Sequence, residues 1–421
     1  MKKLLIIYPH WPPSNLAGVH RSRLIANYSR NFGWDVTVLT VDSDHYEEQN
    51  DLEIERLVAP HVDVRKVNAF PVLKPFGIRI LGDIGIRGWI QMRRRMIEIL
   101  RNEQFDFLWI PIPSWYTSLL GRVAQRKFGI PFGIDYIDPW VYQLTEYEKI
   151  FSRQWWTRQV ALRLEPKAIR KAQLITGVSA EYYAPALARV FPAGTAPPSV
   201  AMPYGFDPND HRYEPTKLDL PWKDNSLDYA LYAGAFLPHS EIFFRALFSV
   251  MAEMKANKSW PTTFIFRFVG TGERKGVSIT SLSIEYGVND IVEEYPHRIP
   301  FLAVQSLLRK ASGSIIIGST EPHYTASKTF QCLLAGKPIF AIFHSESSAS
   351  TFMEEANADA FLVKWNQDSE SELYAKIHQR LTGFVTESRS TWQPDLTKLR
   401  PYSSQESARV LFNAIDAVLQ K

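Results

Sequence analysis

Short apolar runs alternate with longer amphipathic stretches along the whole chain. Each run has the length of a buried strand, and the stretch that follows it repeats its apolar residues at helical spacing. This alternation is typical of strand–helix–strand units, which build parallel sheets covered by helices. The sequence therefore predicts an α/β protein with two doubly wound domains. The predicted strands are Leu4–Tyr8, Asp35–Thr40, Phe107–Ile110, Gly133–Tyr136, Leu174–Val178, Ser199–Met202, Tyr229–Ala233, Thr263–Val269, Ile291–Glu293, Gly313–Ile317 and Pro338–Phe343.

The length of 421 residues exceeds one ordinary core and fits two domains of roughly 200 residues each. Between Pro203 and Leu227, prolines and charges interrupt every periodic pattern, so the boundary is expected there. The segment 403–420 has apolar residues at helical spacing and predicts a terminal helix. We therefore expect an N-terminal domain over 1–205, a second domain over 206–400, and a helix over 401–421 that packs on the first domain.

The composition, with 45% hydrophobic and 22% charged residues, is that of a soluble globular protein. The first apolar run stops at Pro9, which is too short for a signal peptide or a membrane span. A single cysteine, Cys332, excludes an internal disulfide and a cysteine-based zinc cluster. We therefore expect a cytoplasmic protein.

The formal net charge of +4 is unevenly distributed, because the basic excess lies entirely before residue 205. It is concentrated in the segments 87–101 and 149–171, where helical patterns mix cations with Trp89, Trp155 and Trp156. Such helices suit peripheral contact with an anionic membrane. The alternative is a solvated helix face whose aromatic residues point into the core. No nucleic-acid-binding module accompanies the two segments, so no nucleic-acid partner is expected.

The segment 321–343 carries the most specific chemical pattern. A polar loop leads into a short helix that opens near residues 325–327, ends at Gly336, and is followed by a buried strand. Unpaired amide groups and the positive end of the dipole make a helix start attractive to an anion. Lys328 and Gln331 share one face of this helix, and Ser327 precedes them. The pattern predicts a diphosphate site.

This segment resembles the donor-binding loop and helix of GT-B glycosyltransferases, particularly the retaining, family-4-like group, whose motif is an acidic residue, a second Glu and then Ala-Gly-x-Pro. Here Ala335–Pro338 supplies the last part of the motif, and Gln331 stands where the second Glu usually stands. Further segments resemble landmarks of the same family in the same order, from Leu4 to about Ile342. They are the first loop with Pro12, Pro13, Gly18 and Arg21, the element Asp135–Trp140 of bacterial surface-polysaccharide transferases, and the linker entry Met202–Asp207.

The resemblance implies a GT-B architecture: two doubly wound, Rossmann-like parallel-sheet domains with an interdomain cleft, and a C-terminal helix that returns to the N-terminal domain. It implies transfer of a sugar from a nucleotide-sugar donor to a polysaccharide or lipid-linked acceptor at the cytoplasmic membrane face, with retention. No cofactor and no essential metal are expected, and we interpret Asp42-Ser-Asp44 as a loop.

The site residues implied in this way fall into two groups. Lys328 is expected to stabilise the departing diphosphate, and Asp138 to act as the base if the reaction inverts. Donor-binding residues are expected to be Gly18, Arg21, Gly234, Gly270, Gly272, Arg298, Glu321, Ser327, Lys328 and Gln331. Acceptor-binding residues are expected to be His20, Asp135 and Asp138.

Several positions depart from the family pattern and leave alternatives open. Only His239 follows Gly234, where many relatives have a basic pair. Arg21 could instead form a surface salt bridge, Asp138 could cap a helix, and Asp135 could be tied to backbone amides. At the level of the whole chain, the alternatives are a non-catalytic sugar-binding or scaffold subunit and a nucleotide-sugar epimerase of the same fold.

Overall fold

A computed structural model describes residues 1–73, 82–142, 150–222, 226–237, 239–273, 276–322, 328–386 and 392–420. The chain divides into two compact units. Unit 1 comprises Met1–Asp207 together with Tyr402–Lys421, and unit 2 comprises Pro208–Pro401.

Unit 1 is built around a parallel sheet of seven strands in the order β3-β2-β1-β4-β5-β6-β7. Its strands are β1 (Lys2–Ile7), β2 (Trp34–Val41), β3 (Asp63–Val67), β4 (Phe107–Ile112), β5 (Phe132–Tyr136), β6 (Leu174–Gly177) and β7 (Ser199–Ala201). Its helices are α1 (Ala17–Tyr28), α2 (Ile84–Arg87), α3 (Trp89–Asn102), α4 (Leu119–Phe128), α5 (Arg153–Ile169), α6 (Ala180–Val190) and the terminal α13 (Ser404–Leu419).

The central strands of unit 1 are apolar because both faces of the sheet are covered. In β1, Leu4 and Ile6 join one buried cluster, whereas Leu5 and Ile7 join the cluster on the opposite face. The sequence analysis missed β3, whose Asp63–Val67 segment is mostly charged and only partly buried. Such composition is tolerated because β3 is an edge strand, where a polar surface discourages pairing with another chain.

The C-terminal helix α13 belongs to unit 1. The hydroxyl of Ser403 caps it by accepting a hydrogen bond from the backbone N–H of Glu406 at 3.2 Å. Its buried face places Leu411 and Phe412 in the cluster that contains Trp34, with the rings of Phe412 and Trp34 5.6 Å apart. This burial explains the apolar spacing seen in the sequence.

Unit 2 contains a second parallel sheet, of six strands in the order β10-β9-β8-β11-β12-β13. Its strands are β8 (Asp228–Ala233), β9 (Phe264–Val269), β10 (Val292–Tyr295), β11 (Gly313–Ile317), β12 (Ile339–His344) and β13 (Leu362–Trp365). Its helices are α7 (Glu241–Ala256), α8 (Ile279–Glu285), α9 (Phe301–Lys310), α10 (Lys328–Leu334), α11 (Ser348–Glu355) and α12 (Glu370–Thr386).

The predicted fold class is confirmed, since both sheets are parallel and carry helices between their strands. The sequence analysis also missed β13, whose four residues include a lysine and which lies at the edge of the sheet. In the described ranges, no helix is both long and apolar enough to cross a membrane.

Candidate donor and acceptor sites

Lys328, the first residue of α10, lies against Tyr232 near the end of β8. Its ammonium group donates a hydrogen bond of 3.0 Å to the Tyr232 hydroxyl and sits 4.2 Å from the centre of the ring. The hydroxyl in turn donates to the carbonyl of Ala235 at 2.7 Å. Burial raises the pKa of Tyr232 above its usual value, so the hydroxyl stays protonated. Tyr232 therefore holds the lysine by a hydrogen bond and by a cation–π contact.

One glycine, Gly234, lies against this lysine, and a second, Gly270, lies beside the first. Gly234 has a φ of +145°, and a Cβ atom there would come within 3.0 Å of Lys328 Nζ. Gly270 has a φ of +70°, and its Cβ would lie 4.0 Å from both the Gly234 nitrogen and Arg298 Cα. The bare backbone at these loops therefore leaves room beside a cation. The structure brings together four of the predicted donor-binding residues: Gly234, Gly270, Arg298 and Lys328.

Three further donor-binding residues were predicted in unit 2: Gly272, Glu321 and Ser327. Gly272 has a φ of +84° with open space where a side chain would be. Glu321 is exposed, and its backbone N–H donates to the Ser319 hydroxyl at 3.2 Å. Ser327 lies outside the described residues. These three remain sequence-based predictions.

Gln331 lies one turn after Lys328 and is held by a histidine that the sequence analysis did not single out. Its side-chain oxygen lies 2.7 Å from His211 Nε2 and accepts a hydrogen bond from Gln305 Nε2 at 3.0 Å. Burial lowers the pKa of His211 to about 4, so the imidazole is neutral at pH 7 and donates its one N–H to the amide oxygen. His211 lies in a proline- and charge-rich segment that indicated only a linker, and its spatial neighbours were not evident from the sequence.

Arg21 and Asp135 in unit 1 form a buried ion pair. Arg21 Nε and Nη2 donate to the two Asp135 carboxylate oxygens at 2.7 and 3.0 Å, and neither side chain is exposed. Arg21 Nη1 donates to the carbonyls of Met202 and Pro203, while Thr176 donates to Asp135 at 2.6 Å. This geometry ties α1 and β5 to the segment after β7. It favours a structural role for both residues over contact with a ligand.

Asp138, three residues after Asp135, is in a different situation. It is exposed just past the end of β5, and no hydrogen bond reaches it from the residues that the structure describes. The neighbouring protein nevertheless excludes part of the water around its carboxyl group, and this partial burial raises the pKa of Asp138. An accessible carboxylate with a raised pKa at the carboxyl end of a parallel strand is suited to binding a hydroxyl or to accepting its proton.

Gly18 and His20 lie in the first turn of α1. A Cβ at Gly18 would come within 2.3 Å of the Tyr8 hydroxyl, so the glycine allows α1 to pack against the end of β1. His20 Nε2 lies 2.7 Å from Asn15 Oδ1, and burial lowers the pKa of His20 to about 3. Packing explains Gly18, and His20 is a neutral imidazole with a local partner.

A histidine–glutamate pair follows β1 and was missed by the sequence analysis. His10 Nδ1 lies 2.8 Å from Glu48 Oε1, and the Ser14 hydroxyl donates to the same oxygen at 2.5 Å. Burial raises the pKa of Glu48, but hydrogen bonds from His10 and Ser14 outweigh it and bring the value to about 2. The two residues are 38 positions apart, and only the position of His10 directly after a strand could have indicated them.

Potential metal ligands do not cluster in the described part of the chain: it contains no group of three or more His, Cys, Asp or Glu that could hold an ion. Asp42 instead opens a short 3-10 turn, where its side chain accepts a hydrogen bond from the Asp44 backbone at 3.1 Å.

Residues 17–197 match the model of the glycosyl transferase 4-like domain. No curated protein matches the chain. The resemblance to family-4-like glycosyltransferases is confirmed over this range, which falls in unit 1, and each unit has the parallel, doubly wound sheet that the GT-B fold class predicts.

Several solved structures are similar to this chain over almost its whole length. Anabaena HepE in complex with UDP and glucose is 14% identical, with 99% of this chain and 100% of that one covered and a TM-score of 0.57. A glycosyltransferase from Rickettsia africae is 13% identical, with coverage of 100% and 99% and a TM-score of 0.58. Sucrose-phosphate synthase from Thermosynechococcus elongatus is 15% identical, with coverage of 100% and 97% and a TM-score of 0.54.

Proposed function

We propose that this protein transfers a sugar from a nucleotide-sugar donor to a polysaccharide or lipid-linked acceptor at the cytoplasmic face of a membrane. The observation that carries the proposal is the ammonium group of Lys328, which Tyr232 holds beside the bare backbone of Gly234. A fixed cation next to glycine loops can approach a diphosphate closely, and such a group stabilises the charge that develops as the diphosphate departs.

The donor is proposed to bind in unit 2 through two cations. Lys328 contacts the diphosphate, and the exposed Arg298, beside Gly270, adds a second positive charge. We propose that these groups replace an essential metal. Similar structures in complex with UDP or UDP-glucose favour a uracil nucleotide as the first donor to test.

The acceptor is proposed to bind in unit 1, with Asp138 as its main polar contact there. The raised pKa and exposure of this carboxyl group support that role. The buried pair of Arg21 and Asp135 would hold the surrounding backbone in place. The family resemblance implies retention of the anomeric configuration; if the product were inverted, Asp138 would be the proposed base.

A membrane contact is proposed for α5 and the residues just before it. Phe151, two residues before α5, and Trp156, in its first turn, are 70% and 53% exposed, and exposed cations follow along the helix at Arg163 and Lys167. In the other basic segment, Arg87 is buried and donates to backbone carbonyls. Exposed aromatic residues next to cations suit the interface of an anionic membrane.

A thermal-shift panel tests the donor assignment. Wild-type protein is heated with UDP, ADP, GDP, dTDP and the corresponding nucleotide sugars, since a ligand that binds the native state raises the melting temperature by mass action. We expect one nucleoside series to raise it, and the Lys328→Ala variant to respond less. No shift with any of these compounds would contradict the proposal.

Vesicle sedimentation tests the membrane contact. We expect wild type to bind vesicles containing phosphatidylglycerol but not pure phosphatidylcholine, and the Trp156→Ser variant to bind at least tenfold more weakly. Ile284→Ser is the matched control, because Ile284 is a 61% exposed apolar residue of unit 2. Equal binding by both variants would contradict a contact through α5.

A further inference from the structure

The pair formed by His10 and Glu48 has a geometry that fixes which imidazole nitrogen is free. Glu48 has a pKa of about 2 and is therefore ionised at neutral pH. A carboxylate can only accept hydrogen bonds, so His10 must carry its proton on Nδ1, which lies 2.8 Å from Glu48 Oε1. In neutral His10 the lone pair is consequently on Nε2.

This imidazole is also held rigidly in place. The His10 ring contacts those of Tyr8 and Tyr46, with centroids 5.9 and 5.3 Å away. Tyr46 is itself fixed, because its hydroxyl accepts from the Trp11 backbone and donates to the Val41 carbonyl, both at 2.9 Å. The side chain of His10 is 14% exposed, and in the described ranges no hydrogen bond reaches Nε2.

Holding two loops together does not require this side-chain pair. The loop after β1 is already joined to the segment around residue 50 by a backbone bridge between Ser14 and Asn50 and by the hydrogen bond from Asp51 N to Pro13 O at 2.7 Å. A carboxylate that orients an imidazole, at the carboxyl end of a parallel strand, is instead an arrangement that binds or activates a ligand hydroxyl.

We propose that His10, oriented by Glu48, forms a hydroxyl-binding subsite for the acceptor, with Nε2 accepting a hydrogen bond from a sugar or polyol hydroxyl. This inference rests on the proposed function and adds a second acceptor contact to Asp138. No proton is transferred to His10 in this role, so the subsite is compatible with retention.

The electrostatic surroundings of His10 are mixed. Glu48 is ionised, whereas burial raises the pKa values of Asp83, Tyr8 and Tyr46. Among these groups, Glu48 makes the direct contact. Glu48 is therefore the group that sets the orientation of the His10 ring.

Two substitutions of His10 distinguish a hydroxyl-binding role from a purely structural one. In His10→Asn, the side-chain amide replaces Nδ1 and keeps the contact with Glu48, but nothing replaces Nε2. In His10→Gln, the amide reaches the position of Nε2 and loses Glu48. His45→Asn is the matched control, since it changes a histidine of a neighbouring loop. A purely structural pair predicts that His10→Asn is harmless, and the subsite predicts the opposite.

The test uses ¹⁵N-histidine-labelled full-length protein titrated with n-octyl β-D-glucopyranoside below its micelle concentration, as a hydroxyl-rich glycolipid analogue. We expect the resonance of unprotonated Nε2 in His10 to move on titration, and the glucoside to bind at least tenfold more weakly to His10→Asn while His45→Asn matches wild type. A stationary Nε2 resonance, a proton on Nε2 instead of Nδ1, or equal affinity in His10→Asn would overturn the proposal.

Measuring the binding of UDP and UDP-glucose to the same samples distinguishes failure of the hydroxyl subsite from failure of the proposed function. Donor binding by wild type and by His10→Asn, together with unchanged glucoside affinity in the variant, would refute only the hydroxyl subsite. Absence of donor binding in every sample would instead count against the transferase proposal.

Discussion

The guanidinium group of Arg21 and the carboxylate of Asp135 form a two-pronged ion pair that water does not reach. Removing one partner would leave the other charge buried and unpaired, which costs about 3–5 kcal/mol. We therefore expect Arg21→Met and Asp135→Asn each to lower the free energy of unfolding by about that amount, measured by urea denaturation.

Arg30→Met is the matched control for this prediction. Arg30 pairs with Asp35 at the surface, where the arginine side chain is 51% exposed, so its loss should cost less than about 1 kcal/mol. If Arg21→Met left stability unchanged and weakened ligand binding instead, the structural interpretation of the buried pair would be wrong and direct ligand contact would be favoured.

Gly234→Ala should displace Lys328. The new methyl group would lie 3.0 Å from Nζ, and a φ of +145° is unfavourable for alanine. We expect nucleoside diphosphates to bind at least tenfold more weakly, as measured by isothermal titration. Gly287→Ala controls for backbone strain, because Gly287 has a φ of +67° with open space around it. Equal loss of affinity in both variants would show that Lys328 is not the cause.

Asp138→Asn should impair sugar transfer while sparing the binding of UDP. Because the pKa of Asp138 is raised, the wild-type carboxyl group becomes protonated at a higher pH than an ordinary aspartate, whose pKa is about 4. The acidic limb of the activity profile should therefore lie above that value and disappear in the variant. A profile with the same acidic limb in Asp138→Asn would exclude this residue as its origin.

His211 should make stability depend on pH in a defined window. Its native pKa of about 4 lies below the ordinary histidine value of 6.5, so at pH values between the two the unfolded chain binds more protons than the native protein. Stability contributed by neutral His211 is then present above pH 6.5 and lost as the pH falls to about 4. The free energy of unfolding falls by on the order of 3 kcal/mol, because a shift of one pKa unit corresponds to about 1.4 kcal/mol.

The measurement compares wild type with His211→Asn by denaturant unfolding across that window. Differences between the two proteins isolate His211 from His20, whose lowered pKa acts in the same direction, and from carboxyl groups such as Glu165, whose raised pKa acts in the opposite one. A constant difference in unfolding free energy across the window would contradict the assignment of a buried neutral imidazole.

The fold class was predictable because apolar runs such as Leu4–Tyr8 form strands that are buried on both faces, as in a parallel sheet. These runs also alternate along the chain with helical stretches, as strand–helix–strand units do. The edge strands β3 and β13 escaped prediction because they are short and partly polar, which an edge tolerates. Local pattern fixes an element, but the position of an element in the sheet decides how apolar it must be.

The candidate sites were predictable only in part. Lys328 and Gly234 could be proposed from the sequence because each stands at a recognisable end of an element, and the structure places them side by side. The hydrogen-bond partners that orient these side chains could not be predicted, because they are distant along the chain. Glu48 lies far from His10, and His211 lies far from Gln331. The same limit applied to Arg21 and Asp135, which the sequence indicated as ligand contacts and the structure pairs with each other.

The most direct test of the central claim is isothermal titration of the Lys328→Gln variant with UDP, ADP, GDP and dTDP in turn. Loss of a charge-assisted contact of about 1.5–3 kcal/mol predicts binding that is about ten to a hundred times weaker than wild type. Lys337→Gln, which removes a lysine just beyond the same helix, should bind as wild type does. Equal affinity in all three proteins would contradict a diphosphate site at Lys328.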